Sequence, residues 1–479
     1  MSRRSFVVAA AATVGGLAAR PAHALDLLAG GAAPGRYVSR PDLAPPPIVV
    51  ATSTQDASPG YVFLAPFDFS AQPGVPPPAP SPYGPLIVDS SGEPVWFLPF
   101  AKDTAMNVHV QLYRDRPSLT WYAGIVSGGY GGNYFVFDDT YHERKEIRAG
   151  RGEHGDLHEF LLTPDQTALI SIYSTIITDL RSIGGPRKGK LVEGIVQEIE
   201  LASGRVIFEW HSFDHVGVEE SYRTAPTSAG NVDYFHLNSI GIDEDHNLLI
   251  SARHTSAIYK VDRLGGEVIW RLGGKKSDFS FGPGARFAFQ HDARRHPDGT
   301  ITVFDNRATD PGPAVSSRGL RIAVDEKRRH ATLVRAYTTP TARNGFAMGN
   351  VQQLPDGGVF VGWGTDGSFS EFAADGTLRY DARFGDGSVT YRAFRTGWTG
   401  VPDGTPAAAA RRNADGTVTL YASWNGATQV ARWQAGTAPP VTRTGFETAL
   451  TVSGTGGPVS VVALDAAGRR LGASAPIPL

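Results

Sequence analysis

The sequence predicts an all-β protein: a β-propeller of six blades, with seven also possible, followed by a small C-terminal β-module. The 479 residues include 56 Gly and 34 Pro. Short runs rich in Val, Ile, Tyr, Phe and Trp are separated by Asp-Gly turns, which is typical of short strands joined by tight turns. A chain of this length exceeds the usual size of one core, so we expect several domains or one large repetitive fold.

A recurring strand phrase identifies the repeat. It reads SGEPVWF from Ser91, SGRVIFEW from Ser203, GGEVIWRL from Gly265 and DGTLRY from Asp375, and its successive glycines are 112, 62 and 110 residues apart. Two separations are near twice one period of roughly 55 to 62 residues, which predicts weaker copies near about residues 145 and 325. YHERKEIRAG and DEKRRHATLVRAY stand there. Six four-stranded units favour a propeller, because closing the ring leaves no exposed sheet edge.

The expected organisation is a signal peptide over residues 1–24, a Pro-rich segment over 25–57, the propeller over 58–435 and a strand module over 436–479. Arg3 and Arg4 precede an apolar stretch that ends in the small-x-small sequence Ala22-His23-Ala24, which indicates twin-arginine export to the periplasm or the exterior. An uncleaved membrane anchor is the alternative. The runs GTVTLYASW and TQVARWQ fit either the closing blade or a seventh one.

Composition limits the classes of partner. A net charge of -2 and a pI near 6.7 provide no electrostatic footprint for nucleic acid or an anionic membrane, which favours small-molecule partners. The absence of cysteine excludes disulfides, thiolate metal sites and thiol catalysis.

Three histidines occupy one position of the repeat. HEFLLTPDQ, HLNSIGIDEDH and HDARRHPDG begin with His158, His236 and His291, and each has an aspartate seven residues later. A fourth copy, GNVQQLPDG, has Gly349 in that place. Because the first strand of a blade lines the central channel, we expect the three histidines to converge at one mouth of the channel. His296 lies in the Pro-Asp-Gly turn and is expected at the surface, and His109, six residues before its aspartate, is an outside candidate.

The second strand of each hairpin returns antiparallel and ends beside the start of the first. Reflection about each turn places Arg253 or His254 opposite His236, Asp305 or Asn306 opposite His291, Tyr173 opposite His158, and Trp363 opposite Gly349. Asn238 shares a strand face with His236, since alternate residues point to the same side.

A cluster of histidines with an arginine allows several kinds of chemistry. Imidazole acts as a nucleophile, a general acid or base, or a metal ligand. A guanidinium group beside the histidines favours binding of an anionic group such as sulfate, phosphate or carboxylate, and its charge repels a metal ion. Three hypotheses stay open at this point: catalysis on an anionic group, a metal-dependent propeller enzyme that uses the three histidines, and a non-catalytic ligand-binding propeller.

The sequence resembles the bacterial arylsulfotransferases, which move a sulfuryl group between phenols without a nucleotide sulfate donor. The resembling segments are DLHEFLLTPD, DYFHLNSIGID, ISARHTSAIYKVDRLGGEVIWRLGGKKSDFSF, FAFQHDARRHPDG and VGWGTDGSFSEF. The resemblance extends over most of the chain from about Gly60 to Arg432. The sequence departs from well-studied members of the family, which carry a sizeable N-terminal β-domain and a disulfide.

The resemblance implies a six-bladed propeller with its active site at the channel mouth and a ping-pong transfer through a sulfohistidine. In the pattern of the family, His291 would be the nucleophile, His236, Asn238 and Arg253 would hold the sulfuryl oxygens, and His158 would complete the pocket and assist proton transfer. We also expect His254, Asn306 and Trp363 to bind the substrate, with a phenolic sulfate as donor, a phenol as acceptor, and neither metal nor cofactor. With water as the acceptor, the same chemistry would make a sulfatase.

Overall fold

The structure is a computed structural model, and it describes residues 37–71, 77–124, 130–223, 230–307, 316–453 and 457–478. The predicted signal peptide, residues 1–24, lies outside these residues. Within the described ranges, no helix has the length and apolar character needed to cross a bilayer.

Almost all the regular secondary structure of the described residues is β-strand. The first nine are β1 (Ile48–Ser53), β2 (Tyr61–Leu64), β3 (Leu86–Val88), β4 (Pro94–Phe97), β5 (Thr104–Tyr113), β6 (Arg116–Gly124), β7 (Tyr130–Phe137), β8 (Glu143–Ile147) and β9 (Gly155–Asp156). The next nine are β10 (Phe160–Leu162), β11 (Thr167–Thr178), β12 (Gly189–Glu200), β13 (Val206–His211), β14 (Asn231–Asp233), β15 (Leu237–Ile242), β16 (Leu248–Ala252), β17 (Ala257–Val261) and β18 (Val268–Gly273). They are followed by β19 (Ser280–Phe281), β20 (His291–Arg295), β21 (Thr300–Asp305), β22 (Arg318–Asp325), β23 (His330–Tyr337), β24 (Asn350–Gln353), β25 (Val359–Gly362), β26 (Ser368–Phe372) and β27 (Leu378–Phe384). The last are β28 (Phe394–Thr396), β29 (Ala407–Arg412), β30 (Val418–Ser423), β31 (Arg432–Ala435), β32 (Val441–Thr442), β33 (Glu447–Val452), β34 (Val461–Leu464) and β35 (Arg470–Ala473).

Helical structure in the same residues is limited to short pieces. They are α1 (Ser212–His215) and the 3-10 turns Arg181–Ile183, Val218–Glu220 and Gly364–Asp366.

Six antiparallel sheets follow one another around a ring. We name them by their strands: sheet 1 (β28-β2-β3-β4), sheet 2 (β5 to β8), sheet 3 (β10 to β13), sheet 4 (β15 to β18), sheet 5 (β20 to β23) and sheet 6 (β24 to β27, with β1 outside β27). Neighbouring sheets touch through their first or second strands, in a cycle from sheet 1 through sheet 6 and back to sheet 1. The predicted all-β, propeller-type fold is confirmed.

The recurring strand phrase marks one position in this architecture. Its four clear copies lie on β4, β13, β18 and β27, and the two weaker copies lie on β8 and β23. Each of these is the fourth strand of its sheet. The repeat therefore arises because each sheet ends in the same kind of strand, which in the four clear copies begins after a tight turn with glycine in the left-handed region. In the two weaker copies Tyr141 and Arg329 have positive φ in that turn instead.

The apolar core is divided among the sheets. Within the described residues, one apolar cluster lies between each pair of neighbouring sheets; an example is the cluster that joins Ile301 and Leu320 of sheet 5 to Leu249 and Trp270 of sheet 4. Both faces of each sheet are thus covered, which agrees with the fully buried strands β16, β17 and β21. Burial of apolar surface between sheets, at about 25 cal/mol per Å², is the main stabilising term of such a ring.

The domain boundaries differ from those expected at residues 57 and 435. Strand β1 pairs with β27, so the propeller begins within the Pro-rich segment. Strands β29 to β31, expected in the propeller, form two sheets with β32 to β35. GTVTLYASW and TQVARWQ therefore belong to this C-terminal module, which has its own apolar cluster around Trp433. Tertiary pairing decides these boundaries, and strand periodicity alone does not show which sheet a strand joins.

Buried charges connect the sheets at the centre of the ring. Glu159 accepts hydrogen bonds from Arg294 (2.5 Å) and from Arg392 (3.1 and 3.3 Å), and Asp292 accepts one from Arg294 (2.9 Å). Arg294 also donates a hydrogen bond to the backbone carbonyl of Ile240. We call Glu159, Asp292, Arg294 and Arg392 the central ion network. Burial raises the pKa of Glu159, but the two guanidinium groups outweigh this effect and lower that pKa to about 2.

Arg392→Met should lower the free energy of unfolding by about 3 to 5 kcal/mol, because it leaves a buried carboxylate without one of its partners. The measurement is the denaturant midpoint of the purified protein. Since the pKa of Glu159 is lowered from 4.5 to about 2, its contribution to stability is present above pH 4.5 and is lost as the pH falls toward 2.

The matched control is Arg148→Ala, which breaks the exposed ion pair of Arg148 with Glu146. We expect it to leave the midpoint unchanged, because solvent screens such pairs. Equal midpoints for the two variants would contradict the stabilising role of the central ion network.

Candidate active site

Three histidines and a tyrosine meet at the centre of the ring. The ring centroids of His158 and His236 are 5.0 Å apart, and those of His236 and His291 are 6.4 Å apart. Tyr391 completes the group, at 5.5 Å from His158 and 6.3 Å from His291. The convergence expected from the position of the histidines in the repeat is thus observed, with the histidines contributed by sheets 3, 4 and 5.

The residues expected opposite these histidines are close to them. The N–H of Arg253 donates to the carbonyl of His236 at 2.9 Å. Asn306 contacts the His291 ring, and the ring of Tyr173 stacks on that of His158 with centroids 4.9 Å apart. Hairpin geometry alone therefore located these neighbours.

His291 is held by neutral groups. Its Nδ1 lies 2.8 Å from Oδ1 of Asn306, and Nδ2 of that amide donates to the carbonyls of Gly345 (2.5 Å) and Met348 (2.9 Å). The two carbonyls fix the amide orientation, so Asn306 presents its oxygen and Nδ1 of His291 carries the proton. Nε2 then has the lone pair, which accepts a long hydrogen bond (3.3 Å) from the Met348 N–H. Burial and the charge of Arg253 hold the pKa of His291 well below 6.5.

The other two histidines have carboxylate partners. Nδ1 of His158 lies 2.6 Å from Asp156 Oδ1, and Nδ1 of His236 lies 2.6 Å from Asp233 Oδ2. Burial lowers the pKa of His236 to about 3, although Asp233 acts in the opposite direction. Each ring is fixed by its carboxylate through Nδ1, which leaves Nε2 as the nitrogen that can meet a ligand.

Arg253 and His254 adjoin this group. Nη1 of Arg253 lies 2.8 Å from Nε2 of His254, and Nη2 donates to the Phe346 carbonyl at 3.2 Å. The guanidinium group lies over the ring of Phe289. Arg253 thus places a cation beside the histidines, as the sequence predicts.

Asn238 is fully buried and connects two sheets. Its Nδ2 donates to the carbonyl of Gln290 at 2.8 Å. Asn107 and Asn350 make the same type of bond, to the carbonyls of Leu157 and Ala393. The Asn238 amide therefore ties sheet 4 to the residue that precedes His291, which makes it a support of the site.

Trp363 is placed away from the site. Its side chain is fully buried in the cluster between sheets 5 and 6, and its Nε1 donates to Oγ of Ser370 at 2.9 Å. The expectation that Trp363 binds substrate does not fit this position, because the indole has no surface to offer a ligand.

Gly349 explains why the fourth copy of the histidine position lacks an imidazole. It has φ +99°, and a Cβ at this residue would lie 2.5 Å from the ring of Phe304. A histidine there would clash with the core. The break in the sequence pattern therefore has a steric cause.

Three residues of the site were missed by the sequence analysis. Asp156 and Asp233 precede His158 and His236 by two and three residues, so a search for nearby carboxylates could have found them. Tyr391 lies outside every hairpin that supplied a histidine, and no pattern in the sequence marks it. Burial raises its pKa well above 10, so the hydroxyl keeps its proton.

The remaining candidates, His109 and His296, lie elsewhere. Both line a separate cavity of about 640 Å³, whose wall includes Glu159, Asp292 and Arg392 of the central ion network. His109 stacks on Phe394, and His296, expected at the surface, is partly buried with Nε2 2.8 Å from Oγ1 of Thr302. The central ion network thus forms the boundary between this cavity and the three histidines.

Comparison with known families adds one match. A family model described as arylsulfotransferase (ASST) matches residues 109–385, which is more than half of the chain. The matched range contains all the predicted site residues. No curated protein matches the sequence.

Several solved structures are distantly similar. A protein of unknown function from Bacteroides caccae is 11% identical and covers 70% of this chain and 98% of its own, with a TM-score of 0.42. A protein from Lactobacillus plantarum is also 11% identical, with coverages of 88% and 97% and a TM-score of 0.36. A catalytically inactive virginiamycin B lyase from Staphylococcus aureus is 8% identical, with coverages of 79% and 97% and a TM-score of 0.34. None of these scores supports a functional comparison.

Arg253→Met should raise the pKa of His291, because the nearby positive charge disfavours the imidazolium. The measurement is an NMR titration of the histidine ring protons. A raised pKa means that more His291 is protonated at any pH near that value, so the acid limb of any activity that needs its lone pair moves to higher pH.

Lys276→Met is the matched control, since this half-exposed cation pairs with Glu219 and Glu220. It should leave the His291 titration unchanged. An unchanged titration in Arg253→Met would show that the arginine does not act on His291.

Proposed function

The chain belongs to the arylsulfotransferase family, and on that basis we propose that it transfers a sulfuryl group from a phenolic sulfate ester to a second phenol through a sulfohistidine at His291. The observation that carries the choice of residue is the partner of each imidazole. His291 has a neutral amide at Nδ1, whereas His158 and His236 have carboxylates.

A neutral partner suits a nucleophile. Oδ1 of Asn306 accepts a hydrogen bond from Nδ1–H of His291, but unlike a carboxylate it has no charge with which to stabilise an imidazolium. Burial and the charge of Arg253 lower the pKa of His291 further. The ring therefore stays unprotonated at Nε2 at neutral pH, and attack on sulfur requires only that the long hydrogen bond (3.3 Å) from the Met348 N–H breaks. When Nε2 bonds to sulfur the ring gains positive charge, and Oδ1 of Asn306 then faces a stronger donor at Nδ1.

The proposed reaction has two balanced steps. In the first, the Nε2 lone pair of His291 forms an N–S bond while the S–O bond to the aryl group breaks, and the aryloxide leaves with that electron pair and takes up a proton from water or from His158 when that ring has been protonated at Nε2. In the second, an acceptor phenol gives up its proton, its oxygen bonds to sulfur, and the N–S bond breaks. Neutral His291 is restored, so donor and acceptor react in turn.

Arg253 and His236 are the proposed binding groups for the sulfuryl oxygens. The fixed cation of Arg253 stabilises negative charge on the transferring group more than bulk water does, because it needs no reorganisation. In the free protein Nδ1 of His236 donates to Asp233 and its pKa of about 3 leaves Nε2 without a proton, so His236 donates to a sulfuryl oxygen only after the bound anion has brought a proton to Nε2. His158 is the proposed proton carrier, since Asp156 holds its Nδ1 and would stabilise the imidazolium formed after proton uptake. We also propose export by the twin-arginine signal predicted in the sequence.

Incubation of the protein with 4-nitrophenyl sulfate, without added phenol, should produce an acid-labile adduct with the mass of a sulfuryl group on His291. Trypsin separates the two histidines of this region, because the peptide from Phe287 to Arg294 carries His291 and the peptide from His296 to Arg307 carries His296. Mass spectrometry at alkaline pH should find the adduct on the first peptide alone.

His291→Ala should abolish both the adduct and the transfer to an added phenol, whereas His296→Ala, in the same segment, should retain both. An active enzyme without an adduct on the first peptide would refute the proposed mechanism. Release of inorganic sulfate in place of a sulfated phenol, in the presence of added phenol, would instead indicate a sulfatase.

A metal-dependent reaction is the second candidate. One observation favours it: among the described residues, the ligand atoms of Asp233, His236 and His254 lie within 4.8 Å of one another. One observation opposes it: both ring nitrogens of His254 already take part in hydrogen bonds, and the partner of Nε2, at 2.8 Å, is the cationic Nη1 of Arg253.

Dialysis against a chelator should therefore leave sulfuryl transfer unchanged, and elemental analysis of the active enzyme should find no stoichiometric transition metal. The assay is the release of 4-nitrophenol with phenol as acceptor. Loss of activity that a divalent metal restores would contradict the sulfohistidine mechanism in favour of the second candidate.

A further inference from the structure

We propose that Asp233 and His254 are positioning residues that aim His236 and Arg253 at the anionic group of the substrate. This inference rests on the proposed function for the identity of that group. It also assigns His254 a role different from the direct substrate binding that the sequence suggests.

Asp233 holds two histidines at once. It ends β14, which is fixed by parallel pairing of Asp233 with Val192 of β12. Oδ2 of Asp233 accepts from Nδ1 of His236 at 2.6 Å, and the backbone carbonyl of Asp233 lies 2.6 Å from Nδ1 of His254. The carboxylate thus orients His236 and, at 3.5 Å from Nδ1 of His254, also contacts the second imidazole, which the backbone carbonyl orients.

The chain turns sharply to allow this arrangement. His236 has φ +57°, in the left-handed region that a β-substituted residue rarely adopts. The turn brings the ring of His236 back toward Asp233, three residues earlier, and to within 4.5 Å of the His254 ring, centroid to centroid. Strained backbone of this kind persists where the surrounding contacts require it.

His254 is fully engaged with the protein. Its side chain is 2% exposed; Nδ1 donates to the Asp233 carbonyl and Nε2 accepts from Nη1 of Arg253. Because Nε2 accepts, the ring is neutral, and burial lowers its pKa further. No ring nitrogen is left to bind a substrate unless one of these bonds breaks.

A neutral acceptor has a specific consequence for Arg253. Nη1 is held by a neutral imidazole and Nη2 by the Phe346 carbonyl, and neither group cancels the positive charge. In the central ion network, by contrast, Arg294 and Arg392 are held by carboxylates. His254 therefore restricts the rotamers of Arg253 without itself placing a negative charge beside the guanidinium group.

A double-mutant cycle tests this role. We expect His254→Phe to lower kcat/KM for 4-nitrophenyl sulfate by about 10- to 100-fold, as for loss of a hydrogen bond to a charged group. In the Arg253→Ala background the same substitution should change kcat/KM by less than about twofold, because a positioning residue has nothing left to position. Equal effects of His254→Phe in both backgrounds would overturn the proposal.

His254→Gln separates positioning from a general packing defect. Its amide can donate to the Asp233 carbonyl and accept from Arg253, so it should restore most of the activity lost in His254→Phe. Full loss of activity in His254→Gln, with the thermal midpoint of the wild type, would contradict the proposal. Asp233→Ala keeps the carbonyl but removes the carboxylate, and it should be non-additive with His236→Ala and close to additive with Arg253→Ala.

Binding of benzenesulfonate provides a readout that does not depend on transfer. This anion has no sulfuryl group that the enzyme can move, and its Kd, measured by calorimetry, should follow the same non-additive pattern for His254 and Arg253. If the wild type binds benzenesulfonate with that pattern but transfers no sulfuryl group, the proposed function fails and the positioning role stands. Additive effects on Kd in an active enzyme would refute the positioning role alone.

Discussion

The arrangement of the site depends on the buried ion pairs between Glu159, Asp292, Arg294 and Arg392. The residue just before Glu159 in the chain is His158, the residue before Asp292 is His291, and the residue before Arg392 is Tyr391. Three of the four rings that meet at the site are therefore sequence neighbours of a network residue. Because the peptide unit between neighbouring residues is rigid, holding the charged residues in place also restricts the positions of the Cα atoms that carry these rings. Packing between sheets holds the ring together, and the ion pairs connect sheets 3 and 5 with the segment that precedes β28.

The guanidinium groups of the central ion network and the guanidinium group of Arg253 have different kinds of partner. At the centre of the ring, each guanidinium group faces a carboxylate, which offsets the cost of removing both from water. In the site, Nη1 and Nη2 of Arg253 are held by neutral acceptors. The first arrangement pairs opposite charges, whereas the two acceptors that hold Nη1 and Nη2 of Arg253 orient the guanidinium group without bringing a negative charge to it.

Much of the fold and part of the site follow from the sequence because both depend on local patterns. Strand alternation and tight turns are local, so the repeat and the convergence of His158, His236 and His291 could be predicted. Trp363 could not be placed, because reflection about a hairpin shows which residues are opposite but not which way a side chain turns. Tyr391 and the end of the propeller depend on pairings between distant segments. Strand β28 joins sheet 1, and β29 starts a new module, although only about ten residues separate the two strands.

The pairing of β28 with β2 has a consequence for synthesis. Phe63 of β2 pairs with Phe394 of β28, which is synthesised about 330 residues later. Sheet 1 therefore lacks its inner strand until that point of synthesis. Strand β1 also waits for β27. Until the ribosome has released this part of the chain, both N-terminal strands have an unpaired edge, which is a site for wrong pairing with other chains. The long loop that must close also slows folding. The unpaired edge of β2 is therefore covered only after β28 has been synthesised, and a chain truncated before residue 394 would keep that edge exposed.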